Sequence, residues 1–115
     1  MVVDELSDAE VDRIFRALAD ATRRDIVRRV LVTEQSVSEL ARRYPMSVTA
    51  VQKHVGVLEE AGLVTKHRNG REQRVVGQPA ALDRARRLLD AYEELWRSRA
   101  DRMSDLLAED KGRST

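Results

Sequence analysis

The stretch SVSELARRYPMSVTAVQKHVGVLEEAG, residues 36–62, decides the fold. Ser36-Val37-Ser38-Glu39 has the S-x-x-E spacing of a capping box, in which a serine and a glutamate satisfy each other's backbone donors. Val37, Leu40, Ala41 and Tyr44 follow as an apolar stripe at helical spacing. Pro45 is expected to stop that helix, because the residue before a proline is pushed away from helical angles. Only Met46 separates it from Ser47, which can cap a second helix running to Ala61, with Gly62 as a left-handed stop. Two short amphipathic helices joined by about three residues form a helix-turn-helix, here over 36–61.

Upstream, Ser7-Asp8-Ala9-Glu10 repeats the capping-box spacing ahead of Val11, Ile14, Phe15 and Leu18, which predicts an amphipathic first helix. Asp20 can cap a second, with Ile26, Val27, Val30 and Leu31 as its stripe and Arg23, Arg24, Arg28 and Arg29 largely outside it; its end falls near Val32–Gln35. Downstream, two extended runs over 63–76 flank Asn69-Gly70, a strong hairpin signal because both residues tolerate the positive φ of a type I′ turn. A helix-turn-helix followed by a hairpin is a winged helix. Pro79 suits the first position of a last helix reaching about Glu109, and the tail 110–115 has no apolar anchor and is expected to fray. The expected fold class is therefore mostly α: one winged-helix domain over 1–115, with a two-stranded hairpin wing at 63–76 and a long C-terminal dimerisation helix at 79–109.

Composition agrees with that class. At 115 residues, 42% hydrophobic, 36% charged and 3% aromatic, the chain has an aliphatic core and few strand formers. It contains no cysteine, which excludes disulfides, thiolate metal cages and a cysteine nucleophile. No apolar run nears the roughly 18 residues that would span a bilayer and no signal peptide is legible, so no membrane partner and a cytoplasmic location are expected. The net charge of +1 conceals a gradient: residues 1–12 sum to −5, 13–40 to +2, 41–81 to +4 and 82–115 to zero. The basic middle suits an anionic polymer.

With Val51 at zero on a helical wheel, Val55 and Leu58 fall beside it, while Thr49, Gln52, Lys53 and Gly56 fall opposite. On an isolated helix that would be ordinary solvated surface. On the second helix of a helix-turn-helix it suits the major groove of double-stranded DNA, where Gln can pair with adenine and Lys can reach guanine. Ser47, Val48, Thr49, Gln52 and Lys53 are the candidate major-groove contacts. Lys66, Arg68, Arg71 and Arg74 on the wing read as phosphate clamps, or as a minor-groove finger where Arg68 or Arg71 inserts. Arg42 and Arg43 are candidates for phosphates at the edge.

The ten residues from Leu18 to Val27, LADATRRDIV, resemble the opening of the ArsR-type winged-helix regulators. Ser38-Glu39-Leu40-Ala41, Met46-Ser47, Ala50-Val51, Lys53-His54-Val55, the run Val57–Val64 and Gly70-Arg71 continue the likeness, which covers residues 13–76. The resemblance implies a homodimeric transcriptional repressor on an imperfect promoter palindrome, answering to an effector of unspecified chemistry. This chain departs from the pattern at Val55 and Gln52, where leucine and serine are common, so operator preference is not transferable. Residues 36–40 are SVSEL where arsenic- and cadmium-sensing members place paired cysteines, and serine hydroxyls do not replace thiolates for soft metals. Zinc-binding members use histidines on the last helix, yet His54 and His67 both precede it and are expected to be a partly buried helix residue and a wing surface residue. The last helix, with Tyr92-Glu93-Glu94-Leu95-Trp96-Arg97-Ser98-Arg99, resembles the subgroup that ends in a Trp-containing helix and lacks recognised metal ligands. No metal and no cofactor are expected.

Leu82, Ala85, Leu89, Tyr92, Trp96, Met103 and Leu106 recur at 3.5-residue spacing, widened by Leu88 and Leu95. A helix of thirty residues is roughly 45 Å long, more than so small a domain can cover, so part of this stripe is expected to meet a second copy. The dimer interface is expected at Leu82, Leu89, Tyr92, Trp96, Met103 and Leu106, with Arg99 interrupting the seam. No catalytic constellation competes: there is no glycine-rich phosphate loop, and neither histidine falls in a metal-binding motif. The alternative function is a winged helix that serves as an interaction module for a partner protein.

Overall fold

The computed structural model describes residues 7–113. Asp4, Glu5 and the last two tail residues lie outside them. The elements are α1 (Asp8–Leu18), α2 (Ala21–Val32), β1 (Gln35–Ser36), α3 (Val37–Ala41), α4 (Val48–Glu60), β2 (Val64–Asn69), β3 (Glu72–Gly77) and α5 (Pro79–Arg113). The structure has two compact units, Met1–Ala85 and Arg86–Thr115.

Local chemistry sets the boundaries of the first unit. The Ser7, Asp20, Ser36 and Ser47 side chains accept from backbone N–H groups of Glu10, Arg23, Glu39 and Ala50, so every one of α1 to α4 begins on a side-chain cap. Only Ser36 completes the reciprocal capping box, with Glu39 accepting from the Ser36 N–H at 3.1 Å. At Ser7 the glutamate meets the serine hydroxyl instead. Arg23 and Arg24, expected outside the packed face of α2, fold back onto the backbone carbonyls at the end of α1. Arg23 donates to Ala17 O at 2.8 Å and Arg16 O at 3.1 Å, and Arg24 to Leu18 O at 2.7 Å. These are groups a helix cannot satisfy internally.

The core gathers Ile14, Ala17, Ile26, Val27, Val30, Val37, Leu40, Val51, Val55, Leu58, Leu63, Val64 and Val75, joined by Ala81 and Ala85 from the start of α5. Phe15, expected in the packed stripe of α1, is exposed. A strand missed in the sequence, β1, joins the hairpin as an antiparallel sheet of order β1-β3-β2, pairing Gln35 with Val75 and Ser36 with Arg74. At the end of β3, a Cβ on Gly77 would lie 2.8 Å from Leu31 Cδ2 and 3.0 Å from Leu31 Cα, so only glycine allows that approach to α2.

Three boundaries differ from the sequence expectations. First, α3 ends at Ala41, short of Tyr44, so the turn of the helix-turn-helix spans residues 42–47 instead of about three residues. Arg43 N–H already bonds the Leu40 carbonyl at 3.0 Å in a tightened turn, and the Tyr44 phenol is drawn to Asp25. Second, β2 and β3 pair through Asn69 and Glu72, which leaves Gly70 and Arg71 as the two turn residues. Only Gly70 has positive φ, +66°, the pattern of a type II′ turn and not of I′, which needs two such residues. Third, α5 continues past Glu109 to Arg113.

Candidate nucleic-acid interface

The second helix of the helix-turn-helix, α4, is fixed at both ends. Ser47 accepts from Ala50 N–H at 3.1 Å. At the other end Gly62 N–H donates to Glu59 O and Leu63 N–H to Leu58 O, both at 3.0 Å, the paired bonds of a Schellman motif around Gly62 at φ +76°. Val51, Val55 and Leu58 are fully buried. Ser47, Val48, Thr49, Gln52 and Lys53 are all exposed, and Thr49, Gln52 and Lys53 have no partner among the described residues. A Cβ on Gly56 would meet nothing within 4 Å, so no packing within the chain requires that glycine.

His54 is half-buried and His67 exposed, as their positions in the sequence suggested. His54 Nδ1 lies 3.3 Å from Arg23 Nη1. Guanidinium can only donate, so Nδ1 is the acceptor and this contact ties α4 to the arginine that holds the end of α1.

The turn before α4 is held by a second polar cluster that the sequence did not disclose. Asp25 on α2 accepts from the Tyr44 hydroxyl at 2.6 Å, from Arg29 Nε at 2.8 Å and from Arg28. These bonds, that of Tyr44 first, hold the Asp25 carboxyl far below the usual carboxylate range. Burial, with the Asp25 bond, pushes the Tyr44 phenol up to about 12. Tyr44 was legible only as a member of an apolar stripe. Its hydroxyl anchors the turn that carries the exposed Arg42 and Arg43.

The four wing cations expected to act alike fall into distinct environments. Arg68, next to the end of β2, and Arg71, in the turn itself, are exposed and have no partner among the described residues. Lys66 is 3.4 Å from Glu59 at the end of α4, bringing the foot of the wing to that helix. Arg74 is different in kind: only 19% of its side chain is exposed and its guanidinium meets the carboxylates of Glu34, Glu39 and Glu72. It is therefore not free in the way a phosphate clamp must be, because its donors already face fixed acceptors. Thr49, Gln52 and Lys53 on α4, Arg43 before it, and Arg68 and Arg71 on the wing remain exposed, while the charge of Arg42 also bears on the Glu39 carboxyl.

Comparison with known proteins agrees with this geometry. A helix-turn-helix domain family matches residues 18–67. The HTH-type transcriptional regulator Rv2034 of Mycobacterium tuberculosis is 41% identical over 81 residues, covering 70% of this chain and 76% of that protein. The crystal structure of an ArsR family transcriptional regulator superposes with a TM-score of 0.77 at 31% identity, covering 82% of this chain and 97% of the other. The chain belongs to the ArsR family of winged-helix transcriptional regulators. This is a DNA-binding class without enzymatic activity. A probable mercury resistance operon repressor of Streptomyces lividans is a further relative of this ArsR-family chain, 35% identical over 72 residues, 62% of this chain and 58% of that protein.

Exposed apolar side chains also line the last helix, besides Val32 and Val48 in the first unit. Over Arg86–Arg113 the helix leaves Leu89, Tyr92, Leu95, Trp96, Met103, Leu106 and Leu107 between 52% and 68% exposed. Arg99, which interrupts the repeat, has its guanidinium 6.0 Å from the Trp96 ring centroid. Arg97 pairs with Glu93 at 2.7 Å and Arg86 with Asp90 at 3.5 Å, each one turn apart. Leu82, one of the residues expected at a dimer face, is partly buried against the core of the first unit, in the turn of α5 whose Ala81 and Ala85 are buried there. No helix is long and apolar enough to cross a membrane among the described residues.

Proposed function

We propose that the chain is a homodimeric repressor that binds a palindromic promoter operator, with α4 reading bases and the wing holding the backbone. The observation that carries this reading is the partition of α4: Val51, Val55 and Leu58 are buried, while Thr49, Gln52 and Lys53 stand exposed and unpartnered. Arg68, Arg71 and Arg43 supply exposed cations for phosphates, with Arg42, whose charge also bears on Glu39, at the edge. The apolar row from Leu89 to Leu106 supports pairing with a second copy, since a soluble chain seldom leaves so long a row uncovered. Two-fold pairing sets two reading helices about one DNA turn, roughly 34 Å, apart, which is why the site should be a palindrome.

Operator release is independent of arsenite, cadmium and zinc in this reading. The chain has no thiolate, His54 faces Arg23, and His67 lies on the wing. Sequencing the duplex fragments retained by the protein should return a palindrome, and titrating that duplex with each metal and with a chelator should leave its affinity unchanged. A non-palindromic or unenriched pool, or a saturable stoichiometric loss of affinity with one metal, contradicts the proposal.

A further inference from the structure

Arg74 occupies a position that its place among the wing cations conceals. Its Nε donates to Glu34 Oε1 at 3.2 Å, Nη1 to Glu39 Oε1 at 3.1 Å and to Glu72 Oε2 at 3.2 Å, and Nη2 to the Glu34 carbonyl at 3.3 Å. All three guanidinium nitrogens are engaged. The acceptors come from three segments: Glu34 from the connection between α2 and β1, Glu39 from α3 of the helix-turn-helix, and Glu72 from the wing, opposite Asn69 beside the turn. The Glu39 carboxylate is itself immobilised, since it also accepts from the Ser36 N–H in the capping box. In the backbone, Arg74 sits in the middle strand of the sheet, paired with Ser36 on one side and His67 on the other.

We infer that Arg74 is a positioning residue, which fixes the wing against the helix-turn-helix so that Arg68 and Arg71 reach the DNA backbone, and does not itself touch DNA. The inference rests on the proposed role of those two arginines as phosphate contacts. It accounts for a charge arrangement that would otherwise oppose binding: three carboxylates around the Arg74 guanidinium, with Arg42 also acting on Glu39, leave a net negative cluster along a DNA-facing hairpin. A flat, forked guanidinium can bridge acceptors on three segments at once, whereas a lysine ammonium is a single point on a flexible stem.

The test is the salt dependence of binding to a random duplex, measured well below the melting temperature with the full-length protein. Each lost phosphate contact lowers the steepness of the fall of log K with log salt by about 0.9. Arg71→Ala should lower it by about that amount per protomer. Arg74→Ala should lower it by about 1.8 per protomer, the loss of both wing arginines, and combining it with Arg71→Ala should add almost nothing. Arg74→Lys keeps the charge but should fail to rescue. Partial unfolding would reduce the active fraction without altering the slope.

Glu34→Ala combined with Glu72→Ala gives an independent sign test at exposed positions. Charge alone says that removing two acids beside the DNA face tightens binding, and the inference says it weakens binding several-fold. Tighter binding by this double variant, rescue by Arg74→Lys, or an Arg74→Ala slope change of about 0.9 that adds to that of Arg71→Ala would overturn the inference while leaving the wing reading intact. An unchanged slope in both Arg68→Ala and Arg71→Ala would instead remove the wing reading, and the inference with it.

Discussion

Helices α4 and α5 share an amphipathic pattern and end in opposite conditions. In α4 the apolar side is consumed by the core, with Val51, Val55 and Leu58 at 0% exposure, and a hydrogen-bonding face is what remains. In α5 beyond Ala85 the apolar side is what remains, with Tyr92 at 59% and Trp96 at 64% exposure, while the flanking charges pair along the helix. The same periodicity thus yields a surface suited to base edges in one helix and a surface suited to another apolar helix in the other. Periodicity alone identifies a face. What the rest of the chain covers decides which face is offered to a partner.

That contrast is broken most severely by putting charge into the exposed row of α5. Leu95→Glu with Trp96→Glu should leave the fold of the first unit intact, because neither side chain is buried, yet sediment as a monomer at micromolar concentration. Operator affinity should then fall towards the non-specific level, about a thousandfold or more. A dimer with undiminished operator affinity would show that the row is not the interface.

A truncation in each helix sharpens the same contrast through stability. Leu58→Ala removes a fully buried side chain from a packed core and should cost about 2–5 kcal/mol in chemical denaturation. Leu95→Ala, on an exposed position, should change the stability of the monomeric first unit by less than about 0.5 kcal/mol. Equal losses would mean that the row on α5 is covered within the chain.

The anchoring of the turn ahead of α4 predicts a pH signature. The Asp25 carboxyl is depressed below its ordinary value of 3.8, so its contribution to stability is complete above that value and declines as pH falls towards the folded value. Asp25→Asn should cost about 1.5–3 kcal/mol at pH 7, the scale of hydrogen bonds to a charged group, and less at pH 3. Urea midpoints at the two pH values measure this, and a loss that does not shrink on acidification would separate Asp25 from the acid response. Tyr44→Phe should weaken the same anchor, whose phenolic side, with its pKa raised to about 12, titrates only well above neutral pH.

How much of this was legible depended on whether the signal was local. The caps at Ser36 and Ser47, the stop at Gly62, the winged-helix order and the buried and exposed sides of α4 follow from spacing, because backbone donors and helical period act within a few residues. Strand β1 and the Tyr44–Asp25 bond depend on contacts between distant segments, which no window of sequence contains, whereas the arginines that hold the end of α1 reach back only six or seven residues, across a helix break that periodicity does not register. Arg74 is the sharpest case. In the sequence it is one of four wing cations, and only the fold brings Glu34, Glu39 and Glu72 to it. The turn was misread for a smaller reason: Asn69-Gly70 fits two registers, and Asn69 is used in the ladder opposite Glu72, which moves Gly70 to the first turn position.

The central claim is that α4 reads sequence while the wing supplies affinity, and the most direct measurement is a competition titration of operator against random duplex at fixed salt with Gln52→Ala. One good base contact contributes about 1–3 kcal/mol of discrimination, so the ratio of operator to random affinity should fall by roughly 5- to 150-fold per half-site while binding to random duplex barely changes. An unchanged ratio, or an equal loss on both duplexes, would contradict the assignment of Thr49, Gln52 and Lys53 as the reading face.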